Sequence, residues 1–124
     1  MTTSLLDCIV LESSPNPTAA VIWLHGLGAD GNDFAPVVRE LDLSGCQAIR
    51  FIFPHAPTMP VTVNNGYVMR AWYDILGTDL VRREDEAGLR KSQLAIEQFI
   101  AHQIASGIPP SRIILAGFSQ GGAM

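Results

Sequence analysis

Apolar positions along this chain follow two rhythms, short unbroken runs and stretches spaced three and four apart, and the two alternate. Residues 5–11 carry the first run, with Cys8, Ile9, Val10 and Leu11, and predict a strand. The cluster Ser13-Ser14-Pro15-Asn16-Pro17 is turn material. Residues 19–24, AAVIWL, are continuously apolar, the mark of a strand covered on both faces. Residues 33–41 change rhythm. Phe34, Val37, Val38 and Leu41 fall at i, i+3, i+4 and i+7 and predict a helix capped by Asn32 or Asp33, with Pro36 tolerated in its first turn. A third strand is expected over 48–53, stopped by Pro54.

From 54 to 77 no period is clean, and Pro54, Pro57, Pro60 and Asn64-Asn65-Gly66 predict a long loop. Val63, Tyr67, Trp72 and Tyr73 give that loop enough apolar surface to be ordered. Residues 84–106 predict the longest helix, with Leu89, Ile96, Phe99, Ile100 and Ile104 on one face and Glu86–Arg90 as a favourable i, i+4 pair. Gly107 suits the position after its end, and Pro109-Pro110 prevent continuation. Ile113 to Ala116 predict a last, buried strand. Strands alternating with helices predict an α/β fold with a mainly parallel sheet, as one domain.

Composition narrows the function classes. The 124 residues are 48% hydrophobic and 16% charged, which is globular, and 8 basic against 12 acidic residues give −4. That balance gives no electrostatic case for nucleic acid or an anionic membrane. The start, Met1-Thr2-Thr3-Ser4, lacks the basic and apolar regions of a signal peptide, and no apolar run nears the ~20 residues of a membrane span. A soluble, cytoplasmic protein is expected. Cys8 and Cys46 are far apart and predict two reduced, mostly buried thiols. His25, His55 and His102 have no His or Cys at ligand spacing, so neither a metal nor an organic cofactor is expected.

Two stretches carry candidate chemistry. Gly117-x-Ser119-x-Gly121 follows the last apolar run with the spacing of a nucleophile elbow, a strained turn in which the serine needs neighbours without side chains. Ser119 would stand at the carboxyl end of its strand, and Gln120 would open the next helix with its N–H facing a developing oxyanion. The second stretch is His25-Gly26-Leu27-Gly28-Ala29-Asp30-Gly31-Asn32, after the strand at 19–24. Its G-x-G-x-x-G match admits a dinucleotide site, but the next strand, AIRFIF, ends without the carboxylate a ribose needs, and Asp30 would repel a pyrophosphate. The other reading makes this loop half of an oxyanion hole through the Leu27 amide. These loops and the one after Phe53 all leave strand carboxyl ends, where sites in parallel sheets lie.

Trp23-Leu24-His25-Gly26-Leu27-Gly28, Phe53-Pro54-His55-Ala56-Pro57, Met69-Arg70-Ala71-Trp72-Tyr73-Asp74 and Ala116-Gly117-Phe118-Ser119-Gln120-Gly121-Gly122, in this order, resemble the phospholipase/carboxylesterase family. These are small α/β-hydrolases that include bacterial carboxylesterases and acyl-protein thioesterases. The resemblance implies a serine hydrolase of short- to medium-chain esters or thioesters, free or on an acylated protein. It implies Ser119 as nucleophile, Leu27 and Gln120 amides as the oxyanion hole, and Trp72 and Tyr73 lining the substrate cleft. His25, Gly26, Gly28, Gly117 and Gly121 would support the two loops.

The family's triad continues with an Asp and then a His beyond the elbow. Neither follows Ser119 here, so the sequence is expected to be the N-terminal portion of such a domain, inactive and aggregation-prone by itself. A non-catalytic or partner-completed scaffold is the alternative, and a homodimer is compatible with either. His25 is expected to serve the oxyanion loop, His55 loop packing, His102 the surface, and Asp74 the order of its own loop.

Overall fold

The computed structural model describes residues 5–77 and 85–124. In chain order its strands are β1 (Cys8–Glu12), β2 (Ala19–Leu24), β3 (Ile49–Pro54), β4 (Thr58–Val61), β5 (Tyr67–Arg70) and β6 (Ile113–Gly117), with helix α1 (Glu86–Ala105) before β6. Four of them form one sheet in the order β1-β3-β2-β6. β2 runs parallel to both β3 and β6, and β1 joins the far edge antiparallel. The mainly parallel α/β sheet is therefore as expected. Its register, Ile22 opposite Ile52 and Leu24 opposite Gly117, brings the loops after β2, β3 and β6 out at one end.

Burial explains the strands. Ala20, Ile22 and Leu24 point to one face of β2 and are sealed against Ile52 and the α1 residues Ile96 and Phe99. The other face is only half covered. There Trp23 stacks on Phe34 (ring centroids 5.2 Å) and on Phe53 (6.0 Å), and Phe34 in turn meets Phe118 (5.3 Å). β3, between two strands, buries four successive residues from Phe51 to Pro54. β6 departs from the expected buried strand. It lies at the sheet edge, with Ile114 61% and Leu115 48% exposed, because no described residue packs beyond it.

α1 begins where a side chain satisfies its first amides. Asp85 Oδ1 accepts the Gly88 N–H at 3.0 Å, and the expected first residue, Glu84, lies outside the described residues. The helix closes with Gly107 at φ 107°, its N–H on the Ile104 carbonyl and the Ile108 N–H on that of Gln103, which satisfies two end carbonyls. The buried stripe is Ser92, Ile96, Phe99 and Gln103, not a stripe ending at Ile104, which is exposed. Gln103 turns inward because its Oε1 accepts from Arg50 at 2.8 Å.

Three further expectations give way. Residues Ala35–Glu40 form a 3-10 helix with no side-chain cap, in place of an α-helix over 33–41. Asp30 takes the Asn32 N–H at 2.7 Å, which tightens the turn ahead of the helix without capping it. The irregular stretch 54–77 contains a hairpin, β4 against β5, with Val61 opposite Tyr67 and Asn65 at φ 57° in the turn. Cys46 is exposed, whereas Cys8 is half-buried and its thiol is pushed up by burial and by Asp7.

Candidate active site

The elbow is built by steric exclusion. A Cβ on Gly117 would lie 2.5 Å from the Gly121 carbonyl oxygen, and one on Gly121 would lie 2.5 Å from the His25 oxygen. Only glycines let the chain double back this closely onto β2. Ser119, at the apex, has φ 53° and an exposed side chain. Among the described non-glycine residues only Asn16 and Asn65 share that left-handed backbone, and asparagine tolerates it. A serine there is strained, and strain of this kind collects at functional sites. The Ala123 N–H reaches the Ser119 carbonyl at 3.2 Å, but the chain continues as a short 3-10 turn, Gly121–Ala123, in place of the expected helix.

The glycine loop meets the elbow directly. A Cβ on Gly26 would stand 3.5 Å from Ser119 Cβ. The Gly28 N–H donates to the Arg70 carbonyl (2.8 Å) and the Ala29 N–H to that of Gly26 (3.3 Å). Just before them, the Leu27 N–H has no partner among the described residues, and neither has the Gln120 N–H. One uncommitted amide thus follows the serine directly, and the other follows Gly26 in the loop that meets it. Gly28 itself sits at φ 77°, a backbone that admits this turn.

His25 holds this loop and is not available as a base. It is 2% exposed, and its Nε2 accepts the Ala56 N–H at 3.0 Å. The Nδ1–H therefore donates to the Gly26 carbonyl at 2.7 Å. Burial pushes its pKa below the ordinary value, a shift opposed by the Gly26 carbonyl and by Asp30. His55 Nδ1 likewise accepts from Gly31 N–H at 2.9 Å, and His102 is exposed on α1. His55 thus packs against a loop and His102 lies at the surface, as expected.

Trp72 is not a wall of an open cleft. It is fully buried, with its ring 5.3 Å from that of His25 and its indole N–H donating to the His25 carbonyl at 2.9 Å. Tyr73 is half-buried beside the core. Asp74 orders its loop, accepting from Thr62 N–H (2.8 Å) and hydroxyl (2.5 Å), which holds its carboxyl below the usual range. One further contribution leaves no mark in the residue pattern. The Gln120 side chain reaches back to residues 72 and 73, a role that its place after Ser119 does not reveal.

Among the described residues no His, Cys, Asp and Glu cluster could hold a metal. The dinucleotide alternative loses its support, since the glycine loop enters a 3-10 helix and offers no α-helix N-terminus to a pyrophosphate.

Known proteins share the sequence and fold of this chain. The acyl-protein thioesterase 1 of Schizosaccharomyces pombe is 43% identical over 119 residues, covering 96% of this chain and 52% of that protein. The acyl-protein thioesterase 1 of Neurospora crassa is 46% identical over 113 residues, covering 86% and 46%. The crystal structure of Arabidopsis thaliana SOBER1 superposes with a TM-score of 0.78 at 34% identity, over 85% of this chain and 51% of its own. The chain thus spans about half the length of the curated relatives it matches. A family described as phospholipase/carboxylesterase matches residues 6–124, from β1 through the elbow, and the chain belongs to that family.

Proposed function

We propose that this chain supplies the nucleophile and the oxyanion hole of a serine hydrolase acting on carboxylic esters or thioesters of short to medium acyl chains. The observation that carries the reading is Ser119, exposed and strained at φ 53°, where the glycine loop meets the elbow, with the Leu27 and Gln120 N–H groups unpartnered among the described residues. Ser119 Oγ attacks the acyl carbon and forms a C–O bond, the carbonyl π pair moves to oxygen, and the two N–H groups hold that charge. Collapse re-forms the carbonyl and breaks the C–O or C–S bond to the leaving group, which takes the proton that Ser119 gave up. Water then repeats the sequence on the acyl-enzyme.

The base that carries the proton comes from outside these 124 residues, because His25 and His55 are both engaged and His102 sits on the surface of α1. The chain is accordingly the first part of a single hydrolase domain, and thioester-linked acyl groups on proteins are the substrates the two fungal relatives' names point to. By itself it would retain at most the roughly 10³–10⁴-fold acceleration left when a triad is incomplete. We place the whole protein in the cytoplasm; none of the described helices is long and apolar enough to cross a membrane.

The test is hydrolysis of a p-nitrophenyl ester and of an acyl thioester by the full-length protein that carries this sequence. Ser119→Ala should abolish both. Unchanged turnover in that variant would sink the assignment, and no turnover by the unmodified protein would favour a non-catalytic scaffold.

A further inference from the structure

The two amides offered to the oxyanion belong to loops that are far apart in sequence, one after β2 and one after β6. An oxyanion donor works only within a few tenths of an ångström of its place, so something must fix their separation. We propose that the Gln120 side chain and Trp72 form a brace that sets this separation, and that both are positioning residues for turnover. The proposal rests on the reading of Leu27 and Gln120 as the oxyanion donors.

The brace can be traced bond by bond. Gln120 is 5% exposed, and its Oε1 accepts the Trp72 N–H at 2.8 Å while its Nε2 donates to the Tyr73 carbonyl at 2.9 Å. The Trp72 indole N–H then donates to the His25 carbonyl at 2.9 Å, and His25 Nδ1–H holds the Gly26 carbonyl, which shares its peptide group with the Leu27 N–H. Trp72 is itself fixed from behind, since its carbonyl accepts from the buried Ser92 hydroxyl on α1. The residue carrying one donor therefore reaches, through its own side chain, the residue that pins the loop carrying the other.

The side-chain type follows from chemistry. A primary amide presents an acceptor and a donor in one plane and so pairs with a backbone N–H and a nearby C=O together, as another peptide would. Glutamate cannot, because its carboxylate would face the Tyr73 carbonyl. Methionine fills the same volume with neither group.

The experiment compares Gln120→Met, Gln120→Glu and Trp72→Phe in the full-length protein, at a temperature where each is folded. Steady-state hydrolysis is measured together with binding of a boronic acid, which mimics the tetrahedral intermediate, and of a non-hydrolysable ether analogue of the substrate. Displacing a donor should lower kcat about 10- to 100-fold in the Gln120 variants, and less in Trp72→Phe. KM and ether affinity should stay within about threefold, and boronate affinity should fall in step with kcat/KM. A side chain that merely stabilises the fold would lower the melting temperature and leave the ratio of boronate to ether affinity unchanged, which overturns the proposal. If neither Gln120 variant folds, Trp72→Phe decides by the same ratio. Ser119→Ala separates the two levels: full activity in that variant removes the oxyanion reading itself, whereas a dead Ser119→Ala beside a wild-type-like Gln120→Met removes only the brace.

Discussion

Replacing His25 by phenylalanine keeps an aromatic ring beside Trp72 and removes both ring hydrogen bonds. The Ala56 N–H, fully buried, loses its partner, a loss worth about 1–3 kcal/mol. The Gly26 carbonyl keeps the Ala29 N–H at 3.3 Å, so its share is nearer 0.5–1.5 kcal/mol. Together His25→Phe should destabilise by about 2–4 kcal/mol, a large part of a typical stability of about 5–15 kcal/mol. A pH signature accompanies the loss. The unfolded imidazole titrates near 6.5 and the folded one lower, so below that value the unfolded chain binds a proton that the folded chain refuses. Stability must therefore fall as pH drops from 6.5 towards the depressed folded pKa, by at most about 1.4 kcal/mol per pH unit. Urea melts of both proteins from about pH 7.5 to about pH 5.5 test this, since other groups titrate alike in each and the difference isolates His25. Parallel loss of stability in the two proteins would refute the assignment of His25 as the buried neutral link.

Other outcomes follow from geometry already described. Gly121→Ala drives a methyl into the Leu24 and His25 carbonyls and should cost about 1–3 kcal/mol or prevent folding, read from soluble yield and melting temperature. Ser119→Gly should be more stable than Ser119→Ala by about 0.5–1 kcal/mol, because glycine relieves the left-handed strain and returns part of the gain as chain entropy; equal melting temperatures would show an unstrained elbow. Asp85→Ala removes the cap of α1 and the partner of the Asp74 N–H, and a loss of about 1 kcal/mol or more should appear in thermal melts followed by helical circular dichroism.

What could be read in advance followed the strength of the local signal. β2 and β6 announced themselves as unbroken apolar runs, β3 as a run interrupted only by Arg50, and Gly117-x-Ser119-x-Gly121 as a spacing that only a tight turn needs. The hairpin was hidden because Pro57 and Pro60 break the alternation, although Asn65-Gly66 is a strong hairpin signal. The segment at 33–41 has a helical period but also Pro36 before two β-branched valines and no cap, and a short helix without a nucleus tightens into 3-10 form. Ser92 and Gln103 look like surface on a hydrophobicity pattern, and they face inward because each meets a specific partner, the Trp72 carbonyl and Arg50. In the site the residue types were legible, but what the Gln120 and Trp72 side chains touch lies 47 or 48 residues away in sequence. No window along the chain contains that.

The placement of the two tryptophans makes the molecule its own spectroscopic probe. Trp72 sits in a dry, hydrogen-bonded slot against His25, so its emission should be blue and sensitive to the charge on that ring. Trp23 lies half-buried in the row of rings that runs from Phe53 through Phe34 to Phe118, next to the serine. Trp23→Phe leaves one indole reporting the hydrogen-bonded side of the elbow, and Trp72→Phe leaves the other reporting its greasy side. Two single-tryptophan proteins thus give optical access to opposite flanks of one turn, without any label.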